Sequence, residues 1–122
     1  MTRRALVIDD EDDIRLLMRV MLRQAGVEVE EAASATEGLA RLRSSEPDVV
    51  LLDIRLPDGD GFDILHQMKQ SGQIQRVRVV MVSAHSTPST RSRALAEGAT
   101  GYVTKPFTGT ELLSAVESAL AS

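Results

Sequence analysis

The sequence has 122 residues, a net charge of −4 and no cysteine. That length holds one domain with a real hydrophobic core. The missing thiols exclude disulfides and thiolate sites, and the acidic balance offers no electrostatic basis for direct nucleic-acid binding. No apolar run approaches the roughly 20 residues that cross a bilayer, and Met1-Thr2-Arg3-Arg4 is too brief a charged start for a signal peptide. These features predict a soluble, cytoplasmic domain with no membrane association, spanning 1–122.

Phe62, Tyr102 and Phe107 are the whole aromatic set, so the core must be aliphatic. Leu6-Val7-Ile8 reads as a first strand ending in Asp9-Asp10-Glu11-Asp12-Asp13. Ile14, Leu17, Met18, Met21 and Leu22 then fall at helical spacing, with Gly26 as the stop. Glu11 to Asp13 read as an acidic helix start suited to the positive end of the helix dipole. Val27-Glu28-Val29-Glu30 alternates like an edge or half-buried strand. Ser34-Ala35-Thr36-Glu37 is a capping-box pattern that opens a second helix, which Glu46-Pro47 breaks.

Asp48-Val49-Val50-Leu51-Leu52-Asp53 carries four consecutive apolar residues into a carboxylate. It reads as a strand buried on both faces, with Arg55-Leu56-Pro57-Asp58-Gly59 as loop chemistry beyond it. Phe62, Leu65 and Met68 mark a third helix, closed near Gly72. Val77 to Val82, interrupted only by Arg78, is a fourth strand ending at Ser83-Ala84. Thr87-Pro88 opens a fourth helix with proline at a tolerated position, but its apolar stripe is thin. Tyr102-Val103-Thr104 is a short fifth strand before Lys105-Pro106. Thr108-Gly109-Thr110-Glu111 is a second capping box, leading into a helix through Leu120. Met18, Met21, Met68 and Met81 read as core fillers.

Strands that alternate with helices predict a doubly wound parallel sheet with helices on both faces. Strand order is not readable from the pattern alone. The flavodoxin-like order 2-1-3-4-5 would put the first and third strands side by side, at a switch point where ligands bind. Asp9, Asp10, Asp53, Ser83 and Lys105 would then share one sheet edge. Clustered carboxylates repel, and a hard dication such as Mg²⁺ removes the conflict. Lys105 offers a compact positive charge for a phosphate oxygen, and Ser83 a hydroxyl donor. Together these are the parts of phosphoryl transfer, with Asp53 as the candidate nucleophile.

The order and spacing of Asp9-Asp10, Leu51-Leu52-Asp53 through Gly61, Ser83-Ala84 and Tyr102 with Lys105-Pro106-Phe107 resemble a response-regulator receiver domain of two-component signalling, over the whole chain. The resemblance implies that Asp53 is the phosphoacceptor, served by a histidine kinase or histidine phosphotransfer protein. Asp10, Asp53 and the main-chain carbonyl of Arg55 would be Mg²⁺ ligands, with Asp9 acting through water. Ser83 would be the switch hydroxyl, Tyr102 the switch aromatic and Lys105 the phosphate-binding lysine. The Lys105-Pro106 bond is often cis in that family. Phosphorylation would shift the face made by the fourth helix, fifth strand and fifth helix, and so control a downstream partner, a fused output domain or a dimer formed through that face.

Other readings compete. A haloacid-dehalogenase-type phosphatase would need an acid two residues after its nucleophile, where this chain has Arg55. A flavin binder would want a Gly-rich loop after the first strand, and five acids have the wrong sign. A degenerate receiver would be a phosphorylation-independent interaction module, but its acidic pair, nucleophile, hydroxyl and lysine would not all be needed. The expectation is therefore a signalling domain that assists its own phosphorylation, rather than an enzyme. His85 reads as an exposed loop residue, with contact to the phosphoryl group as the alternative. Tyr102 could be plain packing. Arg91 and Arg93 read as a solvated face that could meet a partner.

Overall fold

The computed structural model describes residues 2–122. Strands β1 (Arg4–Ile8), β2 (Glu28–Ala32), β3 (Val49–Leu52), β4 (Arg78–Ser83) and β5 (Gly101–Thr104) alternate with helices α1 (Asp12–Gln24), α2 (Ala35–Ser44), α3 (Gly61–Ser71), α4 (Pro88–Ala96) and α5 (Gly109–Leu120). The sheet order is β2-β1-β3-β4-β5, and every neighbouring pair is parallel. This is the flavodoxin-like pattern.

The central strands are apolar on consecutive residues because both faces are covered, and alternate residues feed two separate cores. Leu6, Ile8, Val50, Leu52, Val79 and Met81 join the cluster with Leu42, Phe62, Leu65 and Ala94 of α2, α3 and α4. Ala5, Val7, Val49, Leu51, Val80 and Val82 pack on Met18 and Leu22 of α1 and on Leu112 and Val116 of α5. The two-residue period of the strands thus decides which helix each residue meets. In α4 only Ala94 is buried, while Leu95 is 55% exposed. The helix therefore has a small stake in the core.

Local structure departs from the sequence reading in three places. The loop after β3 contains a two-residue antiparallel pairing, Arg55–Leu56 with Gly59–Asp60. A single 3-10 turn, Gln73–Gln75, follows α3. The first capping box is only half formed. Ser34 Oγ accepts the Glu37 N–H, but Glu37 reaches back to the Ala33 N–H rather than to that of Ser34. Thr108 and Glu111, by contrast, cap each other reciprocally.

The end of α2 is completed from elsewhere in the chain. Asp58, in the turn of the small hairpin, accepts the N–H groups of Ala35 (2.7 Å) and Thr36 (2.9 Å) and the Thr36 hydroxyl (2.5 Å). The Thr36 hydroxyl and these amides pull its carboxyl down from 3.8 to about 2. Because the folded value is the lower one, the stabilising contribution is complete above 3.8 and is lost as the pH falls through about 2. Asp58→Ala should therefore lower the urea midpoint at neutral pH. The difference from the unmodified chain should shrink near pH 2, as urea titrations at the two pH values would show.

Candidate functional site

The site lies at the carboxyl ends of β1, β3, β4 and β5, and main-chain pairing continues past the strands to place it. The Asp53 N–H donates to the Ile8 carbonyl (3.0 Å), the Asp9 N–H to Ala32 (3.1 Å) and the Lys105 N–H to Ser83 (2.9 Å). Each polar side chain is thus fixed by an extension of the ladder. Asp9, Asp53 and Ser83 are buried, while Asp10 is exposed.

Lys105 is the centre of the charge arrangement. Its Nζ lies 2.8 Å from Asp9 Oδ2, 2.8 Å from Glu11 Oε1 and 3.0 Å from Asp53 Oδ2. Asp9 is oriented by the Glu11 N–H, which donates to its Oδ1 at 2.9 Å. Burial alone would depress the ammonium, but the bonds to Asp9, Glu11 and Asp53 outweigh it and hold Lys105 above its ordinary value. Burial likewise dominates at Asp53 and pushes its carboxyl up. Lys105 pulls it down, Asp9 pushes it up, and the net direction is upward.

Three carboxylates therefore face one ammonium, and the acids are under-neutralised. One oxygen from each of Asp9, Asp10 and Asp53 lies within 4.8 Å of the others. An all-carboxylate donor set with excess negative charge and one exposed member fits a hard divalent cation such as Mg²⁺. A cavity of about 260 Å³ opens over this group, lined by Asp10, Glu11, Asp53, Arg55, Ser83, Ala84, His85 and Lys105.

The loop after β4 is tied down from β5. Ser83 Oγ accepts the His85 N–H at 3.1 Å. The Tyr102 hydroxyl donates to the His85 carbonyl, and Thr104 Oγ1 donates to Ser86 Oγ at 2.7 Å. Arg91 of α4 donates to Thr104 Oγ1 at 2.8 Å, with its guanidinium 5.0 Å from the centre of the Tyr102 ring. The Lys105-Pro106 peptide is cis.

Asp9, Asp10, Asp53, Arg55, Ser83 and Lys105 all gather at this edge, and Tyr102 stands beside it on β5. Asp9 is set back, closed over by Lys105, while Asp10 lines the cavity. Two participants escaped the sequence reading. Glu11, read there as part of an acidic helix start, reaches Lys105 across 94 residues. Its place in an unbroken acidic run after a strand end was the available signal. Gly61 packs its Cα against the main chain of Asp53 and Ile54, and its position two residues after Gly59 gave only a turn signal.

A family profile described as the response regulator receiver domain matches residues 5–117. The chain is 34% identical over 120 residues to the phosphate regulon transcriptional regulatory protein PhoB of Escherichia coli (strain K12), covering 98% of this chain and 52% of that protein. It is 30% identical over 117 residues to the sensor histidine kinase CheAY of Helicobacter pylori, covering 94% of this chain and 15% of that one. The chain thus spans about half the length of PhoB and a small part of the kinase. Among solved structures, a CheY-like response regulator receiver domain protein from Methanospirillum hungatei JF-1 superposes with a TM-score of 0.90 at 30% identity, covering 99% of this chain and 95% of that one. With both sequence and fold matched across nearly its full length, the chain belongs to the response regulator receiver domain family.

Proposed function

We propose that this chain is a phosphorylation-activated signalling switch, one receiver domain over 1–122, rather than an enzyme that turns over a substrate. Asp53 accepts a phosphoryl group from a phosphohistidine on a histidine kinase or phosphotransfer protein. The observation that carries this reading is the buried Asp53 carboxylate, in contact with Lys105 and grouped with Asp9 and Asp10. An Asp53 carboxylate oxygen attacks phosphorus. The N–P bond breaks, an acyl phosphate forms, and the imidazole nitrogen leaves with its electron pair.

Asp10, Asp53 and the Arg55 main-chain carbonyl would hold Mg²⁺, with Asp9 behind them. When bound, the ion offsets the carboxylate repulsion and stabilises charge on the phosphoryl oxygens. Lys105 donates to those oxygens. Ser83 serves as an acceptor to His85, which leaves its hydroxyl proton to be donated to the phosphoryl group. That new bond would draw on the loop carrying Ser83 and His85, and so on Tyr102, which is bonded to the His85 carbonyl. Phosphorylation adds roughly −1.5 to −2 charges and three acceptors, contacts that exist in one state only and so shift a two-state equilibrium.

The responding element is α4, with its single buried residue, together with β5 and α5. This face would act on a downstream partner or output domain, or pair with a second copy. Cytoplasmic placement fits a kinase partner of this kind, and among the described residues no helix is long and apolar enough to cross a membrane.

The test is incubation with Mg²⁺ and acetyl phosphate, followed by intact-mass analysis and borohydride trapping. One acid-stable, base-labile phosphoryl adduct that maps to the peptide containing Asp53 is expected. No adduct, or an adduct elsewhere, removes the proposal.

A further inference from the structure

Resting on the phosphoacceptor reading above, we infer that Glu11 is a positioning and specificity residue, a solvent-side counter-charge that occupies Lys105 and biases the site against dianionic small-molecule phosphodonors. Lys105 donates hydrogen bonds to Glu11 Oε1 at 2.8 Å and Asp53 Oδ2 at 3.0 Å, and Asp9 Oδ2 lies against the ammonium at 2.8 Å as a third carboxylate. Two of the three belong to the buried floor, since the side chains of Asp9 and Asp53 are 1% and 8% exposed. The third is different in kind. The Glu11 side chain is 58% exposed and lines the cavity through which a phosphoryl group must approach Asp53.

An incoming phosphoryl oxygen therefore meets Lys105 already engaged on the side facing solvent, by a carboxylate of the same sign as the donor. It must displace Glu11 or pass beside it. A donor protein can offset that repulsion with contacts made elsewhere on its surface, whereas a free donor of a few atoms has only its phosphate and leaving group. Glu11 thus suppresses phosphorylation by small metabolites more than phosphorylation by a docked protein. Nothing in α1 needs the carboxylate for capping, because Glu11 makes no side-chain bond to the helix amides. Removing its charge breaks no capping bond, and Asp12 and Asp13 keep the first turn acidic.

Two donors of different charge separate this role from a structural one. With acetyl phosphate, a dianion, attack by the Asp53 oxygen breaks the phosphorus–oxygen bond and releases acetate. With phosphoramidate, a zwitterion of net charge −1, it breaks the phosphorus–nitrogen bond and releases ammonia. In Glu11→Gln, at saturating Mg²⁺ and low ionic strength, the acetyl phosphate rate constant should rise about threefold to tenfold, the size of one partly screened unit charge beside the path. The phosphoramidate rate should rise less, and added salt should narrow the gap. Glu11→Asp, which keeps the charge, should restore the original ratio of the two rates.

A second readout needs neither donor nor metal. The ¹⁵N–¹H signal of the Lys105 ammonium should shift and exchange faster in Glu11→Gln than in the unmodified chain. Equal acceleration for both donors, no acceleration, or an unchanged Lys105 signal overturns the assignment of Glu11 while leaving Asp53 as phosphoacceptor. Failure of the unmodified chain to accept a phosphoryl group from either donor overturns both.

Discussion

Asp53→Asn should leave no phosphoryl adduct and, with divalent cations removed, should unfold at a higher temperature than the unmodified chain. The first half follows from nucleophilicity, since an amide oxygen of the same shape carries no charge to attack phosphorus. The second half is the stronger physical test. Removing one partner of a buried ion pair ordinarily costs about 3–5 kcal/mol, because the other charge is left uncompensated. Here the ammonium is not orphaned, because Lys105 retains Asp9 and Glu11, each at 2.8 Å. What disappears is a carboxylate that burial and Asp9 push toward its protonated form.

The sign is that of a group whose folded value is raised. Its favourable contribution is complete below the unfolded value of 3.8 and is lost as the pH rises through the folded value, so at neutral pH the ionised Asp53 opposes folding. Thermal melts at neutral pH check this. The variant should melt above the unmodified chain without a metal ion, and Mg²⁺ should close the gap by stabilising the unmodified chain more. A variant that melts lower would mean that the bond from Lys105 to Asp53 is worth more than the burial it requires.

That balance bears on what the sequence could disclose. The run Val49–Leu52 with a carboxylate after it was legible because a strand covered on both faces must be continuously apolar, and its carboxyl end is where the core stops. The convergence of Asp9, Asp53, Ser83 and Lys105 was legible for the same reason, since each ends an apolar run and parallel strands put those ends on one edge. Strand order was not a matter of periodicity, because β1 reads alike whether β2 or β3 lies beside it.

Contacts made by single side chains across long separations were also hidden. Asp58 caps a helix 22 and 23 residues earlier in the chain, and nothing in its local pattern distinguishes it from an ordinary turn acid. Glu11 had a satisfactory local explanation as an acidic helix start, and that explanation concealed its partner. The antiparallel pair formed by Arg55–Leu56 and Gly59–Asp60 is too short to carry a period of two. The thin stripe of α4 was visible in Ala94, Leu95 and Ala96, and only the structure shows that Ala94 alone is buried.

Gly61→Ala should destabilise the chain by about 3 kcal/mol, the upper end of the usual cost of forcing atoms into a packed site, because no flexible neighbour can yield. A Cβ at Gly61 would overlap the main-chain oxygen of Asp53 and lie 3.0 Å from both its carbonyl carbon and the Cα of Ile54. All three obstacles are backbone. The Gly61 N–H also donates to the Ile54 carbonyl at 2.7 Å, so the start of α3 cannot move off without losing that bond. Gly26→Ala is the matched comparison, because a Cβ there meets nothing within 4 Å and only the φ of +82° is unfavourable. That change should cost about 1 kcal/mol.

Urea denaturation followed by circular dichroism measures both variants, and equal losses would show that the contact over Asp53 is not tight. The consequence for chemistry is larger than the consequence for stability. Two of the three atoms that must yield belong to Asp53, the proposed phosphoacceptor, whose carboxylate is held 3.0 Å from Lys105. Displacing that main chain re-aims the carboxylate relative to the ammonium and to Asp9 and Asp10. A shift of about 1 Å is enough to lower a positioned reaction by about 100-fold. Folded Gly61→Ala protein, isolated at low temperature, should therefore accept a phosphoryl group from acetyl phosphate at least about 10-fold more slowly than the unmodified chain. An unchanged rate in the folded variant would show that α3 and Asp53 move independently.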